Sequence, residues 1–217
     1  MIDERNKMQG KDYTILLFDA DGTILDFNAA EGNAFLRAMG ECGLDDETAR
    51  DALPHYRAIN DALWYENEKG NITKAELKKL RWARLGETCH IDAAILEKAS
   101  PLYSRYLGEQ GDLLPDADAL LRALQAAGKR LFLITNGLSS SQYGRIRAAG
   151  IEDCFEKVFV SEDLGYSKPD RRFFETAASQ IPGFSKAQTL VIGDRLYSDI
   201  ACAAAFGVPS VCIAPER

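Results

Sequence analysis

The sequence predicts an α/β protein: a Rossmann-like, doubly wound parallel sheet with a large helical insertion after its first strand. Three observations carry that prediction. Short apolar runs recur at residues 15–18, 131–135, 158–160, 189–192 and 210–213. From residue 113 onward, single helical patterns separate these runs, as expected of a parallel sheet with crossover helices. Between the first two runs, residues 28–107 carry apolar side chains at three- and four-residue spacing, the period of amphipathic helices. The expected division is an α/β core from residues 1–27 and 109–217 and a helical domain from 28–108.

The first run is the right length for a strand buried on both faces. It leads directly into Asp19, Asp21, Gly22 and Thr23, at the edge where open α/β sheets bind ligands. An aspartate–glycine step is also an ordinary turn signal. An EF-hand loop is excluded, because glycine at position six and glutamate at twelve are replaced by Ile24 and Ala30. Two carboxylates a residue apart repel unless a cation or a shared proton relieves them.

The helical segment shows four apolar stripes. They are Ala34, Phe35, Ala38 and Met39; Tyr56, Ile59, Leu63 and Trp64; Leu77, Leu80 and Leu85; and Ile95, Leu96, Leu102, Tyr103 and Tyr106. Breaks are expected at Gly40 and Gly43, at Gly70 and Asn71, and at Gly86, with a capping box from Thr73 to Glu76. Trp64, Tyr65 and Trp82 read as core of this bundle. Lys69, Lys74, Lys78 and Lys79 read as a solvated face.

Helices are then expected at 116–127, 139–149, 171–180 and 196–206, ended by Gly128, Gly150 and, after the last, Gly207. Strand 131–135 stops at Asn136 and Gly137, and strand 189–192 at Gly193 and Asp194. The third strand is followed by a polar loop containing Lys168, Pro169 and Asp170. Three strand ends thus place small or polar residues on one edge of the sheet.

Composition narrows the function. With 217 residues, a net charge of −7 and a pI near 5.0, a polyanionic partner such as a nucleic-acid polymer is disfavoured, as is a membrane surface. No apolar run approaches the roughly 18 residues of a membrane span. The first thirteen residues hold no hydrophobic signal core, so a cytoplasmic location is expected. Cys42, Cys89, Cys154, Cys202 and Cys212 form no C-x-x-C pair and read as free thiols. His55 and His90 have no second ligand nearby in sequence. Neither a Gly-x-Gly-x-x-Gly nor a Walker-type phosphate loop is present.

The remaining set, in this order, resembles the haloacid dehalogenase (HAD) superfamily. Asp19-Ala20-Asp21-Gly22-Thr23 matches its D-x-D-G-T motif, Thr135 its hydroxyl after a hydrophobic strand, and Lys168 its lysine. Gly193, Asp194 and Asp199 match G-D-x-x-x-x-D. The helical insertion then corresponds to the superfamily's α-helical cap. The resemblance implies Asp19 as nucleophile toward a phosphoryl group and Asp21 as general acid and base. It implies Mg²⁺ held by Asp19, the Asp21 carbonyl and Asp194. Thr135, with the N–H groups of Asn136 and Gly137, would hold phosphoryl oxygens, and Lys168 would stabilise charge on them. Asp199 would orient Lys168 or the metal's waters. An acid at position 21 favours a phosphatase over a dehalogenase, which needs no proton donor for a leaving oxygen.

A closer resemblance is to the YjjG-type branch of pyrimidine 5′-nucleotidases. It rests on Asp26-Phe27, on Ile59, Asn60, Leu63 and Trp64, on Thr135-Asn136-Gly137, on Gln142-Tyr143 with Arg145, and on residues 161–169. It implies a small-molecule phosphomonoester, a nucleoside 5′-monophosphate, as substrate, with Asn60, Trp64 and Tyr65 as candidate base contacts. A phosphatase for a sugar phosphate, a phosphomutase and a non-enzymatic binding module are the alternatives. The sequence assigns no oligomeric state. Two departures stand out. Arg195 replaces the serine common after Gly-Asp, and relatives are expected to run on through a further strand and helix beyond Arg217.

Overall fold

The computed structural model describes residues 12–213; residues 1–11, most of the stretch read for a signal core, and the last four residues lie outside that range. The described chain divides into two compact units. One comprises residues 12–25, 114–136 and 151–213, the other residues 26–113 and 137–150.

The first unit is the expected parallel sheet. Strands β1 (Ile15–Asp19), β2 (Arg130–Thr135), β3 (Lys157–Val160), β4 (Thr189–Gly193) and β5 (Ser210–Cys212) form one sheet in the order β3-β2-β1-β4-β5. All four pairings are parallel. The central strand β1 is buried along its whole length, which is why it reads as a continuous apolar run rather than an alternation. Its register sets Asp19 beside Ile134 of β2 and Phe18 beside Ile192 of β4. Asp19, Thr135 and the Gly193–Asp194 step therefore leave the sheet side by side. Phe132, Phe159, Phe173, Phe174 and Phe206 pack with Ile15, Leu17 and Val191 on one face. Each side chain of that size removed from water stabilises the fold by about 1.5–3 kcal/mol.

The expected helix over 196–206 is in fact two pieces. Residues Leu196–Ile200 form a widened π-type turn, and only Ala201–Phe206 are α-helical. The N–H groups of both Asp199 and Ile200 donate to the Arg195 carbonyl, at 3.0 and 3.3 Å. The widened turn leaves Leu196 exposed while burying Asp199.

The second unit is helical: α1 (Phe27–Glu41), α2 (Asp46–Glu68), α3 (Lys74–Cys89), α4 (Ala93–Gly108) and α6 (Ser139–Ala148), α5 (Ala117–Ala126) belonging to the sheet unit. Side-chain caps start the first three. Asp26 accepts from Ala29 N–H and Asp45 from Thr48 N–H, while Thr73 and Glu76 form the expected reciprocal capping box. The break expected at Gly86 does not occur, since Gly86 lies inside α3 facing Leu96 of α4. The helix ends instead at His90, whose φ of 55° is left-handed. Buried Phe35, Tyr56, Trp82 and Tyr103 form the aromatic centre of the bundle.

Helix α6 was expected with the sheet but groups with the helices. A side chain at Gly144 would meet the Gly108 carbonyl of α4 at 2.4 Å. Glycine thus permits a backbone approach that carries α6 into the bundle.

Inside the bundle, Glu31 of α1 is buried. It accepts from Asn60 Nδ2 at 2.9 Å and faces Arg57 Nε at 3.3 Å. Burial outweighs these partners and pushes its carboxyl up to about 7. A folded-state pKa above the unfolded one means stability that is full at low pH and declines as pH rises toward 7. We expect wild type to lose about 2–3 kcal/mol more than Glu31→Gln between pH 5 and pH 8, read from urea melts. Equal losses in the two proteins would show that Glu31 is ionised at no cost.

Candidate active site

Lys168 is the centre of the candidate site, although its side chain is almost entirely buried. Its ammonium donates to Asp19 Oδ1 at 2.6 Å, to Asp199 Oδ1 at 2.6 Å and to the Ile134 carbonyl at 3.0 Å. An ammonium has three protons, and all three are engaged. Burial alone would lower the Lys168 pKa, but Asp19 and Asp199 raise it above the ordinary lysine range. Lys168 is therefore a fixed positive charge.

Asp19 ends β1 with its Oδ1 on Lys168, while Thr23 Oγ1 lies 3.4 Å from Oδ2. Oδ2 is the less committed oxygen. Burial, then repulsion from Asp199, push the Asp19 carboxyl well up, with Lys168 opposing them. Asp199 has both oxygens occupied, Oδ1 by Lys168 and Oδ2 by the Arg195 N–H at 3.1 Å. That pattern suits a residue that holds Lys168 and the loop. The Arg195 backbone, whatever its side chain, thereby ties the widened turn to the site. Asp194 is half-buried, and burial and Asp199 together raise its pKa to about 6, against the nearby Arg195 charge.

Carboxylate oxygens of Asp19, Asp194 and Asp199 lie within 4.8 Å of one another. Asp194 Oδ1 is buried and accepts no hydrogen bond. A buried, unsatisfied carboxylate oxygen beside two further carboxylates is costly without a cation, and the donors are all hard oxygens suited to a small divalent ion. The residues present fit such an ion. Gly22 makes the arrangement possible, with a φ of 85° and Asp194 Oδ2 only 2.5 Å from where a Cβ would stand.

Asp21 sits half-buried in the tight loop after β1, where Gly22 N–H donates to the Leu25 carbonyl and Leu25 N–H to that of Ala20. Thr135 is buried at the end of β2, and Asn136 follows it. Gly137 groups with the helical unit, and its carbonyl accepts from Lys74 Nζ at 3.1 Å. Lys74 is thus half-buried and engaged rather than part of a solvated face. Asn60 is fully buried and committed within the bundle to Glu31, with Arg81 NH1 at 3.5 Å from its Oδ1. Trp64 is half-buried. Tyr65 is 45% exposed, with the Lys69 ammonium over its ring; it is Trp82, not Tyr65, that fills the core. Sequence reasoning missed the Ile134 carbonyl as a Lys168 acceptor, which no side-chain motif could reveal. It also missed the engaged Asn136 amide.

Comparison with known proteins gives the family of the chain. The haloacid dehalogenase-like hydrolase family model matches residues 13–207. The pyrimidine 5′-nucleotidase PynA of Streptococcus pneumoniae is 38% identical over 209 residues, covering 94% of this chain and 85% of that protein. The pyrimidine 5′-nucleotidase YjjG of Escherichia coli is 31% identical over 185 residues, 85% and 79% of the two chains. Among solved structures, the HAD-hydrolase YfnB of Bacillus subtilis, bound to magnesium, superposes with a TM-score of 0.86 at 35% identity, covering 94% and 89%. The chain belongs to the haloacid dehalogenase-like hydrolase family. Within it, this is an enzyme of the phosphatase type. Among the described residues no helix is long and apolar enough to cross a membrane.

Proposed function

We propose that this enzyme hydrolyses nucleoside 5′-monophosphates, preferring pyrimidines, through a phosphoryl group carried transiently on Asp19. The observation that carries the reading is Asp19 itself: a buried carboxylate held by Lys168 through one oxygen, with the other less committed. The names of PynA and YjjG, at 38% and 31% identity, support the nucleotide class.

In the first half-reaction an Asp19 oxygen attacks phosphorus and the ester P–O bond breaks. The Asp21 carboxyl gives its proton to the departing alkoxide. In the second, Asp21, now a carboxylate, takes a proton from water as its oxygen attacks the same phosphorus. The acyl–phosphate bond breaks, Asp19 is restored and inorganic phosphate leaves. The Thr135 hydroxyl and the Asn136 N–H would hold the non-bridging oxygens. Lys168 aims Asp19, opposes the upward push on its carboxyl, and offsets negative charge gathering in the transition state. Mg²⁺, held by Asp19, Asp194 and the Asp21 carbonyl, would supply charge neutralisation for the incoming phosphoryl group.

The test is phosphate release from UMP, CMP, dTMP, AMP, GMP and a set of sugar phosphates, each with Mg²⁺ or with EDTA. Release expected from the pyrimidine nucleotides, and lost in EDTA, supports both the substrate class and the metal. Release confined to sugar phosphates would overturn the nucleotidase reading and leave the Asp19 chemistry standing. Undiminished release in EDTA would overturn the metal.

A further inference from the structure

We propose that the side chain of Asn136 is a positioning residue that fixes the Lys168 loop against the end of β2, and that it acts on turnover through Lys168. The inference rests on the role given to Lys168 above.

The geometry is reciprocal. Asn136 Oδ1 accepts from the Lys168 N–H at 2.8 Å, and Asn136 Nδ2 donates to the Lys168 carbonyl at 2.8 Å. One amide thus satisfies both main-chain groups of a single residue 32 positions away, pairing with it as a strand neighbour would. Both side chains are buried, Asn136 being 9% exposed and Lys168 1%. Broken bonds there would not be replaced by water, so the pairing is worth more than at a surface.

The pairing anchors that loop to the end of β2 through its main chain. The loop follows the single helical turn Ser161–Leu164 and precedes α7 (Arg171–Ser179), and it lies outside every strand ladder. From its backbone a four-carbon side chain must reach three acceptors at once, on Asp19, Asp199 and Ile134. Ile134 and Asn136 belong to the same strand end. Lys168 is therefore held to β2 twice, at its main chain by Asn136 and at its ammonium by the Ile134 carbonyl. The first contact sets the root from which the second, and the bond to Asp19, are made. Aspartate in place of Asn136 would keep the acceptor for the Lys168 N–H but set an oxygen against the Lys168 carbonyl.

Substituting the side chain leaves the Asn136 N–H in place, so the effect on phosphate holding is separated from the effect on Lys168. Asn136→Ala is expected to lower kcat about 10- to 100-fold, the cost of a displacement near 1 Å in a reacting centre, with KM moved little. Hydrogen exchange of the Lys168 amide should accelerate in Asn136→Ala and stay slow in Asn136→Asp, while both variants lose kcat. In a Lys168→Ala background, Asn136→Ala should cost no further kcat, because the two act as one unit.

A kcat within twofold of wild type in Asn136→Ala, or a raised KM with kcat preserved, would overturn the proposal. So would full additivity with Lys168→Ala. Should Asn136→Ala fail to fold, the near-isosteric Asn136→Asp decides by the same kcat and exchange readouts. Absence of phosphate release from wild type would instead defeat the phosphatase chemistry, and the exchange measurement would still judge the pairing.

Discussion

Asp19→Asn is expected to abolish turnover, by about 10⁴-fold or more, while leaving the protein folded. The fold-change follows from removing a nucleophile whose partners work only with it; the carboxamide matches the carboxylate in shape but cannot form the acyl–phosphate bond. The unusual part of the expectation concerns stability. Burial and repulsion from Asp199 raise the Asp19 carboxyl despite Lys168, so without a cation the ionised group is a strained member of the fold. A neutral amide removes that repulsion. In EDTA, then, Asp19→Asn should melt no lower than wild type, and added Mg²⁺ should raise the melting temperature of wild type more than that of the variant. Phosphate-release assays and melts in parallel check both halves. A variant that is both inactive and markedly less stable in EDTA would mean that Asp19 is chiefly a structural partner of Lys168.

Lys168→Met is expected to have the opposite balance, costing both activity and stability. Its ammonium is the cation between two buried carboxylates at 2.6 Å. Removing one partner of a buried ion network leaves uncompensated charge, typically costing about 3–5 kcal/mol. Methionine fills the volume of the stem, so the loss reports charge rather than a cavity. Adding Asp199→Asn should recover part of the stability, since one of the stranded carboxylates is gone, without recovering kcat. Urea melts of the single and double variants test this. If the double variant is no more stable than Lys168→Met, the carboxylates are not what Lys168 neutralises.

How much of this could be read from the sequence depends on where each contact comes from. β1 was legible because burial on both faces leaves an uninterrupted apolar run, and Asp19 because it terminates that run. Lys168, Asp194 and Asp199 were legible as motif positions, and the parallel register then brings Asp19 and Asp194 together from neighbouring strands. The Asn136–Lys168 pairing was not legible. It spans 32 residues, and one partner contributes only main-chain atoms, which carry no residue-type signal. The widened turn after Arg195 was hidden for a similar reason, because the alanine-rich pattern that follows fits an α-helix equally well. Gly86 misled because a glycine inside a helix can serve close packing as readily as termination. Asn60 has the chemistry of a base contact, and only the three-dimensional arrangement shows its amide spent on Glu31.

The grouping of α6 with the helices bears on how this enzyme can be re-engineered. The polypeptide passes from one compact unit to the other four times, at residues 25–26, 113–114, 136–137 and 150–151. The helical unit is consequently not a cassette that can be exchanged at two splice points. A chimaera that replaces only residues 26–113 would ask a foreign bundle to accept α6, and with it the close backbone seat of Gly144 on Gly108. Transplanting a relative's helical unit requires two segments moved together, and one of the joints falls directly after Asn136.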